Sequence, residues 1–137
     1  MKSTPSSVSV SDSIGKVSLL TLKPNSPIAV VALAHGAGAP MTHPFMEKLA
    51  LELANHGVAT VRYNFPYMEK KSKRPDVPAV AEKTVGAVLK HTQDAFADLP
   101  VFLAGKSFGG RMSSQFASKS EPKPYKSRRP ISGKRAR

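Results

Sequence analysis

The sequence predicts an α/β fold, a mostly parallel sheet with helices packed on both of its faces. Short strand-like segments at residues 28–34, 58–63 and 101–104, the first of them continuously apolar, alternate with longer segments whose apolar residues recur at helical spacing. Turn residues rich in Gly, Pro and Asn separate them. Strand–helix–strand repetition builds a parallel sheet, because each crossover helix returns the chain to the edge from which the last strand started.

Each element follows from its local chemistry. Residues 1–13, MKSTPSSVSVSDS, are polar and Ser-rich and read as a mobile lead-in, without the apolar core of a secretory leader. Residues 14–22 alternate in part and predict an edge strand, closed by the turn Lys23-Pro24-Asn25-Ser26-Pro27. The unbroken apolar run 28–34 is that of a parallel strand covered on both faces. Thr42 or His43 caps the first helix, whose early Pro44 suits a first turn. Phe45, Met46, Leu49, Leu53 and Ala54 form its inner face, and Gly57 ends it. A strand at 58–63 leads into Asn64-Phe65-Pro66-Tyr67 and a charged loop at 69–74. Asp76 is the expected cap of a second helix with Val77, Val80, Ala81, Val85, Val88 and Leu89 inward. Its interior Gly86 costs about 1 kcal/mol. A third strand at 101–104 and a third helix at 107–118 follow.

At 137 residues the chain holds one domain at most. It has no cysteine, which excludes disulfides, thiolate metal sites and a thiol nucleophile, and agrees with a cytoplasmic protein. No apolar run is long enough to span a bilayer. The net charge of +12 is unevenly placed. Residues 1–118 carry 13 Lys and Arg against 8 Asp and Glu, whereas residues 119–137 carry 8 against 1.

The chemistry concentrates in VFLAGKSFGGRM, residues 101–112. Gly105-Lys106-Ser107 ends like a phosphate loop, but the glycine that such a loop needs five residues earlier is Pro100, and 101–104 read as strand. A dinucleotide fingerprint starting at Gly36 fails as well, since its third glycine falls on Met41. What fits is G-x-S-x-G between a strand and a helix, a sharp turn that presents a nucleophilic serine, Ser107. The backbone there is strained and tightly packed, so Gly105 and Gly109 are needed two residues to either side. A second glycine loop, His35-Gly36-Ala37-Gly38-Ala39-Pro40, follows an earlier strand. If the two strands are neighbours, both loops meet at the carboxyl edge of the sheet. The backbone N–H groups of Ala37 and Phe108 would then face a developing oxyanion.

Three segments, LAHGAGAPMTHPFMEKLA, VRYNFPYMEKKSKRPD and LAGKSFGGRM, resemble the α/β-hydrolase superfamily. More narrowly they resemble the dienelactone-hydrolase-like group that includes testis-expressed protein 30. The resemblance covers residues 26–118. It implies a partial α/β-hydrolase fold, Ser107 as nucleophile, Ala37 and Phe108 as oxyanion-hole amides, and hydrolysis of an ester-like small molecule without cofactor or metal.

A serine nucleophile needs a base and usually an acid orienting that base, in the order Ser, Asp or Glu, His for this fold. After Ser107 the chain has one acidic residue, Glu121, and no histidine. His35 borders the expected crevice, either as a substitute base or as a residue that shapes its loop. His43, His56 and His91 read as helix-end or surface residues. Tyr63, Phe65 and Tyr67 either wall an acyl pocket or pack beneath the sheet, and Lys106 and Arg111 either draw an acidic substrate or face solvent.

The expected division is a lead-in at 1–13, a partial hydrolase domain at 14–118 and a disordered basic tail at 119–137. The abrupt change at 119 suggests an amino-terminal fragment with an unrelated tail, truncated or inactive for lack of the triad acid and histidine. An apolar sheet edge left after the third parallel strand predicts poor solubility. The alternatives are a non-catalytic scaffold or interaction protein, and nucleic-acid binding through the tail. Neither a specific nucleic acid nor a membrane is expected as partner.

Overall fold

A computed structural model of the chain describes residues 1–119. The predicted tail lies, beyond Lys119, outside the described residues. Five strands form one mixed sheet: β1 (Thr4–Ser11), β2 (Gly15–Leu22), β3 (Ala29–Ala34), β4 (Val58–Tyr63) and β5 (Val101–Gly105). Their spatial order is β1-β2-β4-β3-β5. The predicted parallel strands β4, β3 and β5 lie side by side, and β2 and β1 extend them antiparallel. The helices are α1 (Pro44–Asn55), the single turn α2 (Pro66–Glu69), α3 (Pro78–Ala95) and α4 (Phe108–Lys119).

Residues 4–11 are strand, where a mobile lead-in was expected. The alternation Ser7-Val8-Ser9-Val10-Ser11 is a period-two signal that serine content conceals. Val8 and Val10 pack against the main core while the intervening serines face outward. Replacing both by serine should destabilise the domain by about 2–3 kcal/mol, given the apolar area lost at two partly buried valines. Urea unfolding checks this; an unchanged midpoint would show that the strand adds nothing.

The main core lies between the sheet and α3 and α4. Val17 and Leu19 of β2, Val30, Ala32 and Ala34 of β3, and Ala59, Val61 and Tyr63 of β4 all point into it. The opposite face is covered by α1, through Met46, Ala50 and Ala54. Both faces of β3 and β4 are thus shielded; β3 is apolar throughout, as that requires, while β4 also buries Thr60 and Arg62.

The helix limits differ from the sequence reading in ways that have local causes. His43 caps α1, its Nδ1 accepting the Phe45 N–H at 3.1 Å. Phe45, expected inward, is 47% exposed, because the inner stripe runs through Met46, Ala50 and Ala54. Asp76 does not cap α3. Val77 holds that position without a side-chain cap, and Asp76 Oδ2 instead accepts the Tyr67 N–H at 3.0 Å, fastening α2 to the following loop. Val77, also expected inward, is consequently exposed. β3 starts one residue after Ile28, which is exposed beside Gly57. None of the described helices is long and apolar enough to cross a membrane.

Candidate active site

β3 and β5 pair directly, Ala34 opposite Gly105, so the loops that follow them emerge side by side at the carboxyl edge. Strand β4 lies on one side of β3 and β5 on the other, which opens a crevice where the order of connection reverses. The Lys106 N–H donates to Ala34 O at 3.1 Å and fixes the start of the turn. A Cβ placed on Gly36 would sit 3.7 Å from Ser107 Cβ and 3.2 Å from Lys106 O, so the glycine loop lies directly against the serine turn.

Ser107 has φ of +54°, a left-handed conformation that costs a non-glycine residue on the order of 1–3 kcal/mol. The surroundings enforce it. Lys106 O accepts the Gly109 N–H at 3.1 Å, and Ser107 O accepts the Arg111 N–H at 2.9 Å. α4 begins at once and packs its first turn into β5. A Cβ on Gly105 would stand 2.5 Å from Gly109 C and 2.6 Å from Gly110 N. A Cβ on Gly109 would overlap His35 O and lie 2.7 Å from Ala34 Cβ. The side chain of Ser107 is left exposed at the tip.

Two amides remain open nearby. The N–H groups of Ala37 and Phe108 carry no hydrogen bond among the described residues, whereas those of Lys106, Gly109 and Ala39 are engaged. Phe108 stands at the start of α4, where the first N–H groups lack intrahelical acceptors and the helix dipole is positive. Its ring is buried in an aromatic cluster, with edge contacts of 5.2 Å to Phe65 and 5.8 Å to Tyr67. That anchor sets where its amide points.

His35 shapes its loop. Fully buried, it has Nε2 3.0 Å from the Phe65 N, which must donate, so Nε2 is the unprotonated nitrogen. Nδ1 then carries the proton and donates to Gly36 O at 2.7 Å. Burial pushes the imidazole pKa below its ordinary value, against smaller upward pulls from the Gly36 carbonyl, Asp76 and Glu69. With both nitrogens occupied, His35 has no lone pair for a seryl proton, and the substitute-base reading falls. Tyr63, Phe65 and Tyr67 are likewise core residues, not pocket walls: Phe65 and Tyr67 meet His35 and Phe108 edge-on, and Tyr63 meets Phe65 in the same way. Burial raises the phenol pKa of Tyr63, partly offset by Ser113, and also that of Tyr67, whose hydroxyl faces the Gly38 backbone.

The far end of the glycine loop is held by residues that motif reading passed over. The Met41 N–H donates to Asn64 Oδ1 at 2.9 Å, and Met41 O accepts from Arg62 Nη1 at 2.9 Å. Asn64 Nδ2 donates to Glu69 Oε2, while Glu69 Oε1 accepts from both the N–H and the hydroxyl of Ser18. An arginine inside the strand sequence VATVRY was the available signal, since a charge at a buried strand position requires partners. On the outer side, Lys106 Nζ lies 4.4 Å above the Phe45 ring, which joins α1 to the serine turn, and Arg111 is exposed. No His, Asp or Glu hydrogen-bonds the Ser107 hydroxyl, and no cluster of three metal-ligating side chains occurs, among the described residues.

Residues 27–127 match the family described as Alpha/beta hydrolase domain. None of the curated proteins matches the sequence. Among solved structures, the chain is similar to an alpha-beta serine hydrolase homologue from Coxiella burnetii, with 23% identity and a TM-score of 0.73 over 88% of this chain and 60% of that one. It is also similar to an a/b serine hydrolase without lid from Xanthomonas campestris, with 21% identity and a TM-score of 0.68 over 87% and 57% of the two chains. A dienelactone hydrolase from Anabaena variabilis gives 25% identity and a TM-score of 0.68 over 87% and 59%. The chain therefore spans about three fifths of the length of these structures.

Proposed function

The chain belongs to the alpha/beta hydrolase domain family, and from that premise we propose that it carries the nucleophile-bearing part of a serine hydrolase acting on ester-like acyl substrates in the cytoplasm. The Ser107 hydroxyl is the attacking group. The Ala37 and Phe108 amides are the oxyanion hole, two preorganised donors aimed where charge develops on the carbonyl oxygen. Gly36 and Gly38 let the first amide approach, and Gly105 and Gly109 let the turn close. The observation that carries this reading is the left-handed Ser107 at an exposed tip, against a loop whose Ala37 amide is free.

In a complete cycle Ser107 Oγ bonds to the carbonyl carbon and loses its proton to a base. The tetrahedral intermediate expels the alcohol, and water attacks the acyl-enzyme to release the acid. No base or acid is assigned among the described residues, because no His, Asp or Glu there hydrogen-bonds Ser107 and His35 is committed to its loop. These 137 residues by themselves are a form with little or no turnover, because loss of triad partners costs about 10⁴-fold or more.

A fluorophosphonate probe tests the nucleophile separately from turnover, because it reports bond formation at serine. Slow labelling of the 137-residue chain that disappears in Ser107→Ala is expected. Equal labelling of the two proteins, or none in either, would overturn the proposal. The sheet would then be a non-catalytic scaffold, the second reading, which is favoured by the engagement of both His35 nitrogens.

A further inference from the structure

On the α1 side of the sheet, away from Ser107, Arg62 occupies the middle of an apolar surface. It sits opposite Leu20 of β2 and Leu33 of β3 in the sheet register. The residue is 3% exposed. Two of its five N–H bonds are used, by Nη1 toward Met41 O and by Nη2 toward Ser3 Oγ at 3.0 Å, and Nε has no partner. Burial disfavours its charge, and the attraction of Glu47 restores it only in part. No carboxylate hydrogen-bonds it among the described residues.

A cavity of about 340 Å³, a volume within the range of ligand sites, has Arg62 in its lining. Its floor is the β2–β4 pair, Leu20, Leu22 and Arg62, and α1 supplies Glu47 and Leu51. The space exists because α1 meets the sheet with small residues, Ala50 and Ala54 against Leu22. The first residues of the chain, with Lys2, close the other side.

We propose that this cavity binds an aliphatic carboxylate, the carboxylate on Arg62 and the hydrocarbon chain along Leu20, Leu22 and Leu51. A buried guanidinium without an anion is costly, and a carboxylate supplies charge-assisted hydrogen bonds that a neutral ligand does not. Lys2 adds a second positive charge, while Glu47 at the rim opposes the anion. None of the lining residues belongs to the serine turn or the glycine loop, so the site stands whether or not Ser107 is a nucleophile.

Octanoate is the probe, titrated by calorimetry into the full chain carrying Ser107→Ala. Saturable binding is expected, with octyl alcohol and acetate each weaker by about tenfold or more, since one lacks the charge and the other the chain. Arg62→Leu risks the fold, so the decisive variants are on α1. Leu51→Glu places a negative charge on the cavity wall at a position 40% exposed and should weaken octanoate about tenfold. Glu47→Gln should tighten it. Absence of saturable octanoate binding, equal affinity for octyl alcohol, or indifference to both variants would overturn the assignment.

Discussion

Gly109→Ala should lower the melting temperature by roughly 10–20 °C, or leave the chain unfolded at room temperature. The methyl group would be driven into His35 O and Ala34, both on the interior strand β3 or at its end, and neither is a flexible side-chain tip. Relief requires α4 to move away from the end of β3, which also separates the Phe108 amide from the glycine loop. Overpacking against backbone costs about 3 kcal/mol or more. Gly38→Ala is the informative comparison. A Cβ there meets nothing within 4 Å, so only its φ of +81° resists, at about 1 kcal/mol. Calorimetric scans of both variants beside the wild type decide it. A Gly109→Ala protein melting within a few degrees of wild type would mean that α4 is not held against β3 as described.

The same packing explains what the sequence could reveal. G-x-S-x-G is legible because collision-free packing restricts positions 105 and 109 to glycine whatever the rest of the chain does. The strands at 28–34, 58–63 and 101–104 are legible because buried strands are rich in branched and other apolar residues, although β4 also buries Thr60 and Arg62 and Phe102 of β5 is exposed. β1 was missed because an edge strand needs only one apolar side, and its two valines were outnumbered by serine. Asp76 was misread because an acidic residue before a proline-initiated helix looks like a cap. Its actual partner, the Tyr67 N–H, lies nine residues earlier and is set by tertiary structure.

The polar supports of the site were hidden for a related reason. Asn64 and Glu69 lie five residues apart, but Ser18 and Met41 come from distant parts of the chain, and only the fold brings them together. His35 stood at the boundary. Sequence placed it in the crevice but left two roles open, and the choice between them depended on a single donor, the Phe65 N–H. That donor belongs to the residue following Asn64. The short run 62–65 therefore fixes the glycine loop at both ends, through His35 and through Met41.

This arrangement makes stability fall on acidification, with His35 as the cause. The folded state holds the imidazole neutral, because Nε2 must accept from Phe65 and burial opposes charge. The unfolded chain takes up a proton near the ordinary pKa of 6.5. Between that value and the lower folded pKa the unfolded state binds more protons, so stability is complete above about pH 7 and declines as pH falls through the window. The limiting slope for one proton is about 1.4 kcal/mol per pH unit. Asp76 and Glu69 attract the imidazolium and narrow the window without closing it. Urea midpoints of the wild type and His35→Gln, measured from about pH 7.5 down to pH 5, separate this contribution from the other histidines, above the range where carboxylates titrate. The variant should start less stable, because it disturbs the loop, and then lose less on acidification, so that the two curves converge. Curves that stay parallel would mean that the buried ring is not the titrating group, and that the hydrogen bond from Phe65 does not hold it neutral.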